Sequence, residues 1–241
     1  MALTFATHAG AARFTPPSVR RYVPPFVASA AMVGALTYGQ AGVNGVRRYV
    51  DGAGDRLMEW ARPVMATFGL YCHTHRGLLV SHARALLALA LLIAPATLLV
   101  TAATGRAIGL APADAASALP ATTTTALALM MPGGLPLIRP EWVALGTVCV
   151  GFGTAVTLPL LLRATGLSAH SPAVRGLAIG AAAHVSGVAA LASAGELAAA
   201  DVASVAAVLV GTVRVALVYH PWVAEGLRVA CGGDGNTNNT E

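Results

Sequence analysis

The chain has 241 residues, 56% of them hydrophobic and 10% charged, with 15 basic residues against 10 acidic. Soluble domains carry about 25% charged residues, so a chain with mean hydropathy +0.69 lacks the polar surface to cover a water-soluble globule. That largely excludes a cytosolic enzyme. The arginines fall singly at segment ends instead of forming a patch, which argues against nucleic acid as a partner.

The uncharged stretches set the class. Arg84 and Arg106 enclose 21 uncharged residues, Asp114 and Arg139 enclose 24, Glu141 and Arg163 enclose 21, and Arg175 and Glu196 enclose 20. A helix crosses the hydrocarbon core with about 20 apolar residues. The expected fold is therefore all-α and polytopic, with six to seven transmembrane segments, some of them broken.

Residues 1–23 contain Arg13, Arg20 and Arg21 and no acid, which fits either a transit peptide or a basic tail. A first span is expected over 25–43, followed by an amphipathic interfacial stretch over 49–61. Pro63 opens the run 63–72, too short for a simple crossing and read as a half-helix. Cys72, His73, His75 and His82 match no zinc spacing and read as a His-rich loop, with no metal expected. Residues 85–105 form a strong span with Pro95 as a kink.

Over 112–137 the pattern changes. Pro120, the run Thr122 to Thr125, Pro132, Gly133, Gly134 and Pro136 interrupt a segment otherwise long enough to cross. Broken backbone at membrane depth is tolerated where it is buried in protein or lines a cavity. The hydroxyls of Thr122 to Thr125 are therefore candidates to satisfy the freed groups or line a polar cavity, the alternative being a Thr-rich helix whose hydroxyls bond back to carbonyls. Residues 142–162 form another strong span. In 173–195, Gly176, Gly180 and Gly187 offer a smooth face for close helix packing. His184, in the middle of that apolar run, is a proton-relay or ligand candidate, or else a His bonded to a neighbouring helix. The last span, 202–223, carries Arg214 in its interior, where a cation is costly. Arg214 is expected to face the protein interior and pair with a group such as a bound carboxylate, or to snorkel from a tilted helix. Residues 229–241 read as a disordered tail.

One repeat is visible. Arg106-Ala107-Ile108-Gly109-Leu110 recurs 57 residues later as Arg163-Ala164-Thr165-Gly166-Leu167, and Thr97 matches Thr154. Each copy is an apolar span followed by a small-residue, Pro-containing span, the plan of secondary transporters. With seven crossings, both R-A-x-G-L ends are expected on one side of the membrane.

The stretch Ser171-Pro172-Ala173-Val174-Arg175-Gly176-Leu177-Ala178-Ile179-Gly180, with Ala182-Ala183-His184 and Gly187, resembles the signature of the LrgB/CidB-type membrane family. Pro120, Thr124 and Thr125 are similar to that family's Pro-Lys-Ser-Val-Thr-Thr-Pro motif, and Pro63 to its Gly-Pro-Ala-Thr stretch. The family domain is expected over 24–228. The resemblance implies a carrier of small monocarboxylates of the glycolate, glycerate or pyruvate class, coupled to an ion or proton gradient. Thr124, Thr125, Arg175, His184 and Arg214 are the residues expected to bind the substrate, although Arg214 stands where that family has a small polar residue. It also implies alternatives: a holin-like regulator of murein hydrolases and lysis, or a non-transporting member. Ala121 replaces the family's Lys, Ala126 its second Pro and Ala190 an Arg, so Arg214 is a candidate to restore part of the lost charge. No catalytic residue and no cofactor is expected. Beyond the lipid bilayer and a small carboxylate, the resemblance implies a homo-oligomer or an LrgA/CidA-like partner. The expected setting is an organelle inner membrane (chloroplast or mitochondrial) in a eukaryote and the plasma membrane in a bacterium.

Overall fold

The computed structural model describes residues 2–14, 16, 25–49, 51, 52, 56, 59, 70, 73–166 and 169–233. Pro63, most of the amphipathic stretch and most of the 63–72 run lie outside them. Every regular element among the described residues is helical. Helix α1 (Ala2–Phe14) packs on α2 (Pro25–Tyr49), where the Thr4 and Tyr49 hydroxyls are 2.9 Å apart. The first expected span is more than a simple helix. The chain turns at Ala41 and Gly42 (φ +57), and Gly45 comes back against the Thr37 carbonyl.

The rest is built from three long helices. After the short α3 (Arg76–Ser81), α4 spans Ala83–Ala107. It is Ala- and Leu-rich, and its buried stripe Leu86, Ala90, Ala94, Leu98, Ala102 has the four-residue spacing of one helix face. Beyond α4 come α5 (Pro112–Ala118) and α6 (Thr125–Ala128). They are followed by α7 (Pro140–Ala164), α8 (Pro172–Ser193), α9 (Leu197–Tyr219) and α10 (Pro221–Ala230). The 57-residue offset is exact in the structure: α4 and α7 are both 25 residues long, and α4, α7 and α9 begin at 83, 140 and 197. Both R-A-x-G-L copies end their helices on a left-handed glycine, Gly109 (φ +78) and Gly166 (φ +70). The N–H of Gly109 bonds Arg106 O and that of Gly166 bonds Arg163 O. This is why the motif recurs: a glycine past the last turn takes the left-handed conformation without a Cβ penalty.

What lies between the long helices corrects the sequence expectation. Residues 112–138 do not cross. Gly105, near the end of α4, is tight against Ala115 of α5, and 24 residues on Arg139 returns to the same place. Its Nη1 lies 3.2 Å from Asp114 and its backbone N–H donates to Ser117 Oγ at 2.9 Å. The segment is a re-entrant hairpin. Its inward arm is α5 continued by a 3-10 turn, Leu119–Thr122. The chain becomes extended at Thr123 (φ −111, ψ 150), and α6 leads back out.

Residues 173–195 do the same from the other end. By length and apolarity alone, three helices among the described residues qualify to cross a membrane, α4, most of α8, and α9. But α8 breaks at His184 (φ 42, ψ −147). Eight residues of straight helix advance about 12 Å, yet a Cβ on Gly187 sits 2.6 Å from Ile179 Cγ2. The chain has doubled back there. Its mouth is closed by Arg175 in the first turn and Glu196 at the start of α9, 2.8 Å apart.

The two hairpins enter from opposite sides. α4 runs alongside α9 in the same direction, with Leu86 clustered with Val205 and Ala206, Ala90 and Ala94 with Val210, and Leu98 and Ala102 with Val218. α7 starts beside the end of α4, and Leu162 near its far end packs with Ala199 at the start of α9. α4 and α7 are thus antiparallel, and their R-A-x-G-L ends face opposite sides, not one side. The last span is also shifted: α9 ends at Tyr219, and extended His220 before Pro221 starts α10, whose Leu227 joins buried Cys231 in the Leu98 and Ala102 cluster.

Glycines let α8 sit on α9. A Cβ on Gly180 would collide with the Ala203 carbonyl, and one on Gly176 with the Ala199 carbonyl and Val202. Gly180→Ala should therefore destabilise the protein by about 1–3 kcal/mol, the usual cost of overpacking. Gly153→Ala, whose Cβ meets nothing within 4 Å, should be neutral or gain up to about 1 kcal/mol of helix propensity. Thermal unfolding of the two variants in one detergent checks both signs.

Candidate functional site

The hairpin tips meet at Arg214. This side chain is only 1% exposed, and each of its three nitrogens has a partner. Nε donates to Thr97 Oγ1 on α4 at 3.0 Å. Nη1 donates to the Thr122 carbonyl and, at 3.5 Å, to Thr123 Oγ1 in the tip of the first hairpin. Nη2 donates to the Ala181 carbonyl in the inward arm of the second, at 3.3 Å. Thr122 and Ala181 lie in the last turns of half-helices, where carbonyls have lost their intrahelical partners. The guanidinium fork supplies them, and the negative ends of both arm dipoles point at the cation. Among the described residues no carboxylate pairs with Arg214.

Thr97 lies two residues beyond Pro95 in α4. The proline interrupts the ladder of α4, and the Thr97 hydroxyl bonds back to Ile93 O (2.7 Å) and Ala94 O (3.0 Å) while accepting from Arg214. The sequence marked Thr97 as half of a repeat pair and gave no hint that it holds the buried arginine. Thr147 on α7 was missed as well. Its hydroxyl lies 3.1 Å from that of Thr125, and its backbone lies beside the ring of His184.

His184 is the turn residue of the second hairpin. It is 5% exposed and holds a backbone conformation close to a region reserved for glycine. Gly151 of α7 packs against it, since a Cβ there would lie 3.4 Å from Cε1. The Ser186 N–H donates to Nδ1 at 3.4 Å, so in the neutral ring the proton sits on Nε2. The buried Thr124 Oγ1 has no hydrogen-bond partner among the described residues, while the Nε2–H lies toward the Thr147 backbone without completing a hydrogen bond of normal geometry. Orphaned buried polar atoms are rare because each costs the desolvation of a group that water would have satisfied.

The structure thus gathers Thr124, Thr125, His184 and Arg214 at the tips. It does not bring Arg175 there: Arg175 lies at the mouth of the second hairpin, bonded to Glu196 and to the His170 carbonyl. Nine helical residues, about 13 Å, separate it from His184. This ion pair is partly exposed, with side chains 16% and 32% accessible, and such pairs contribute under about 1 kcal/mol. Arg175→Gln should lower the melting temperature slightly in low salt and by less at about 1 M salt, where the ionic part of the pair is weakened and the bond to the His170 carbonyl is not.

A largely apolar groove of about 460 Å³ runs between the first hairpin and α7, from Asp114 and Ser117 at the mouth to Ala121 and Val150 near the tip. Ala121, at the position of the resembling motif's Lys, lines this groove. Arg214 reaches the next residue, Thr122, from α9.

Long helices alternating with re-entrant hairpins, repeated in inverted orientation with broken tips converging inside the fold, define an integral membrane protein with the architecture of secondary transporters. The chain belongs to the LrgB-like family, whose profile matches residues 4–224. It is similar to the plastidal glycolate/glycerate translocator 1, chloroplastic, of Arabidopsis thaliana, at 29% identity over 229 residues. The aligned region covers 90% of this chain and 44% of that protein, so the chain spans less than half of the relative's length. No solved structure matches.

Proposed function

We propose that the chain is a membrane carrier of small monocarboxylates of the glycolate, glycerate or pyruvate class, and that the anion binds between the hairpin tips. The observation that carries this reading is a buried cation, Arg214, with no carboxylate partner among the described residues, in the same tip region as the orphaned Thr124 Oγ1 and a His184 Nε2–H held only loosely toward the Thr147 backbone. A carboxylate supplies the charge Arg214 lacks and an acceptor for both the His184 N–H and the Thr124 hydroxyl. Charge-assisted bonds of this kind are about twice as strong as neutral ones. The name of the plastidal relative supports the substrate class.

Arg175 and Glu196 are assigned to closing the mouth of the second hairpin, as Asp114 and Arg139 close the first. Opening one mouth while the other stays shut gives the two faces of alternating access. The proposed setting is an organelle inner membrane in a eukaryote and the plasma membrane in a bacterium, and the process is transport rather than catalysis.

The test is uptake of radiolabelled glycolate, glycerate and pyruvate into proteoliposomes, with and without a pH gradient. Saturable uptake that unlabelled acid competes away is expected. Leak of sucrose and chloride at rates equal to the acids, with folded and inserted protein, points instead to a holin-like pore.

A further inference from the structure

We propose that Arg214 is a tethered cation seated in an oxygen cradle of the kind that holds a free monovalent metal ion, so that carboxylate transport by this chain needs no sodium or potassium gradient. The cradle is geometric. Four oxygens from three separate parts of the fold surround one buried positive charge: the Thr97 hydroxyl of α4, the Thr122 carbonyl and Thr123 hydroxyl of the first tip, and the Ala181 carbonyl of the second. Hydroxyl and carbonyl oxygens are hard ligands suited to hard cations. Unwound carbonyls and the C-terminal ends of half-helices are the groups that coordinate coupling cations where broken helices cross.

The cradle cannot stay empty. Carbonyls freed at a break inside the fold must find a donor or a cation. In this chain the guanidinium does both, with its donors fixed in one plane, and it is covalently attached, so no concentration gradient loads or unloads it. Its charge also balances the single negative charge of a monocarboxylate, the electrostatic service that a co-transported cation performs. The cradle stands on the geometry alone, whereas the consequence for coupling rests on the carrier reading above.

Two measurements separate these layers. The first is the melting temperature of the purified protein in sodium, potassium or choline chloride at equal ionic strength. Wild type should melt alike in all three. Arg214→Gly, which vacates the cradle, should melt lower in choline and regain about 5 °C in sodium or methylguanidinium chloride, as expected when a ligand binds only the folded state. If this variant cannot be purified in choline, the yield of monodisperse Arg214→Gly and Arg214→Ser in each salt is the readout. Stabilisation of wild type by sodium or potassium over choline overturns the proposal, as does a vacated variant indifferent to every cation. The second is initial uptake by wild-type proteoliposomes when sodium and potassium are replaced by choline. Equal rates are expected, and a rate that falls several-fold without sodium overturns the coupling claim. Absence of all uptake, with the melting pattern as predicted, removes the carrier reading and the coupling claim with it while the cradle remains.

Discussion

Replacing Arg214 with Gln is expected to weaken carboxylate binding about 100-fold, read as the concentration of unlabelled glycolate that half-blocks uptake of labelled substrate. A hydrogen bond to a charged group is worth about 1.5–3 kcal/mol, and 1.4 kcal/mol is a factor of ten, which brackets the loss between about 10- and 150-fold. Gln is neutral and cannot present the fork that reaches the Thr97 hydroxyl, the Thr122 carbonyl and the Ala181 carbonyl together. Arg214→Lys keeps the charge as a compact point without the planar donors, so its loss should fall between wild type and Gln. Both variants should be compared at matched amounts of monodisperse protein, because breaking the cradle also lowers stability. Wild-type uptake by Arg214→Gln removes the anion site from the tips.

The second large effect is at His184, where stability and function should part. Its backbone (φ 42, ψ −147) lies near a region that costs a residue with a Cβ about 1–3 kcal/mol and costs glycine almost nothing. His184→Ala keeps the strain and loses the ring contacts. His184→Gly loses the same contacts but releases the strain, set against about 0.5–1 kcal/mol for the added freedom of the unfolded chain. The Gly variant should therefore be the more stable of the two, with a melting temperature several degrees higher. Both should lose uptake, because neither carries the ring N–H assigned above to the anion. An Ala variant as stable as the Gly variant contradicts the strain. Full uptake by either one contradicts the role of the ring.

The sequence carried the long helices plainly and the hairpins poorly, for a physical reason. Arg106 and Arg163 bound apolar runs of the right length, and the R-A-x-G-L copies mark helix ends because Gly109 and Gly166 adopt positive φ. The pairs Asp114 with Arg139 and Arg175 with Glu196 bound equally long uncharged runs, which read as crossings. In the structure each pair is an ion pair across a hairpin mouth. Length and hydropathy are the same for a helix that crosses and for two half-helices that return. Only the break distinguishes them. Pro120 and the threonine run announced the first break, whereas the second falls on His184, whose enrichment at positive φ is too weak to mark a turn inside an apolar run. Burial of Arg214 followed from the cost of a cation in an apolar run. Its partners did not, because Thr97 and the Ala181 carbonyl come from elements far apart in sequence, and a backbone carbonyl has no letter of its own.

The most direct test of the central claim places a reporter between the tips. Thr124→Cys, in a chain with Cys72, Cys149 and Cys231 replaced by Ala, is treated with a small methanethiosulfonate reagent in proteoliposomes. The Thr124 hydroxyl is buried and unpartnered and is assigned above to the anion, so glycolate, glycerate or pyruvate should slow the labelling in a saturable way at the concentrations that compete for uptake, and chloride at the same concentration should not. Labelling at one rate regardless of carboxylate contradicts a substrate site at the meeting point of the hairpins.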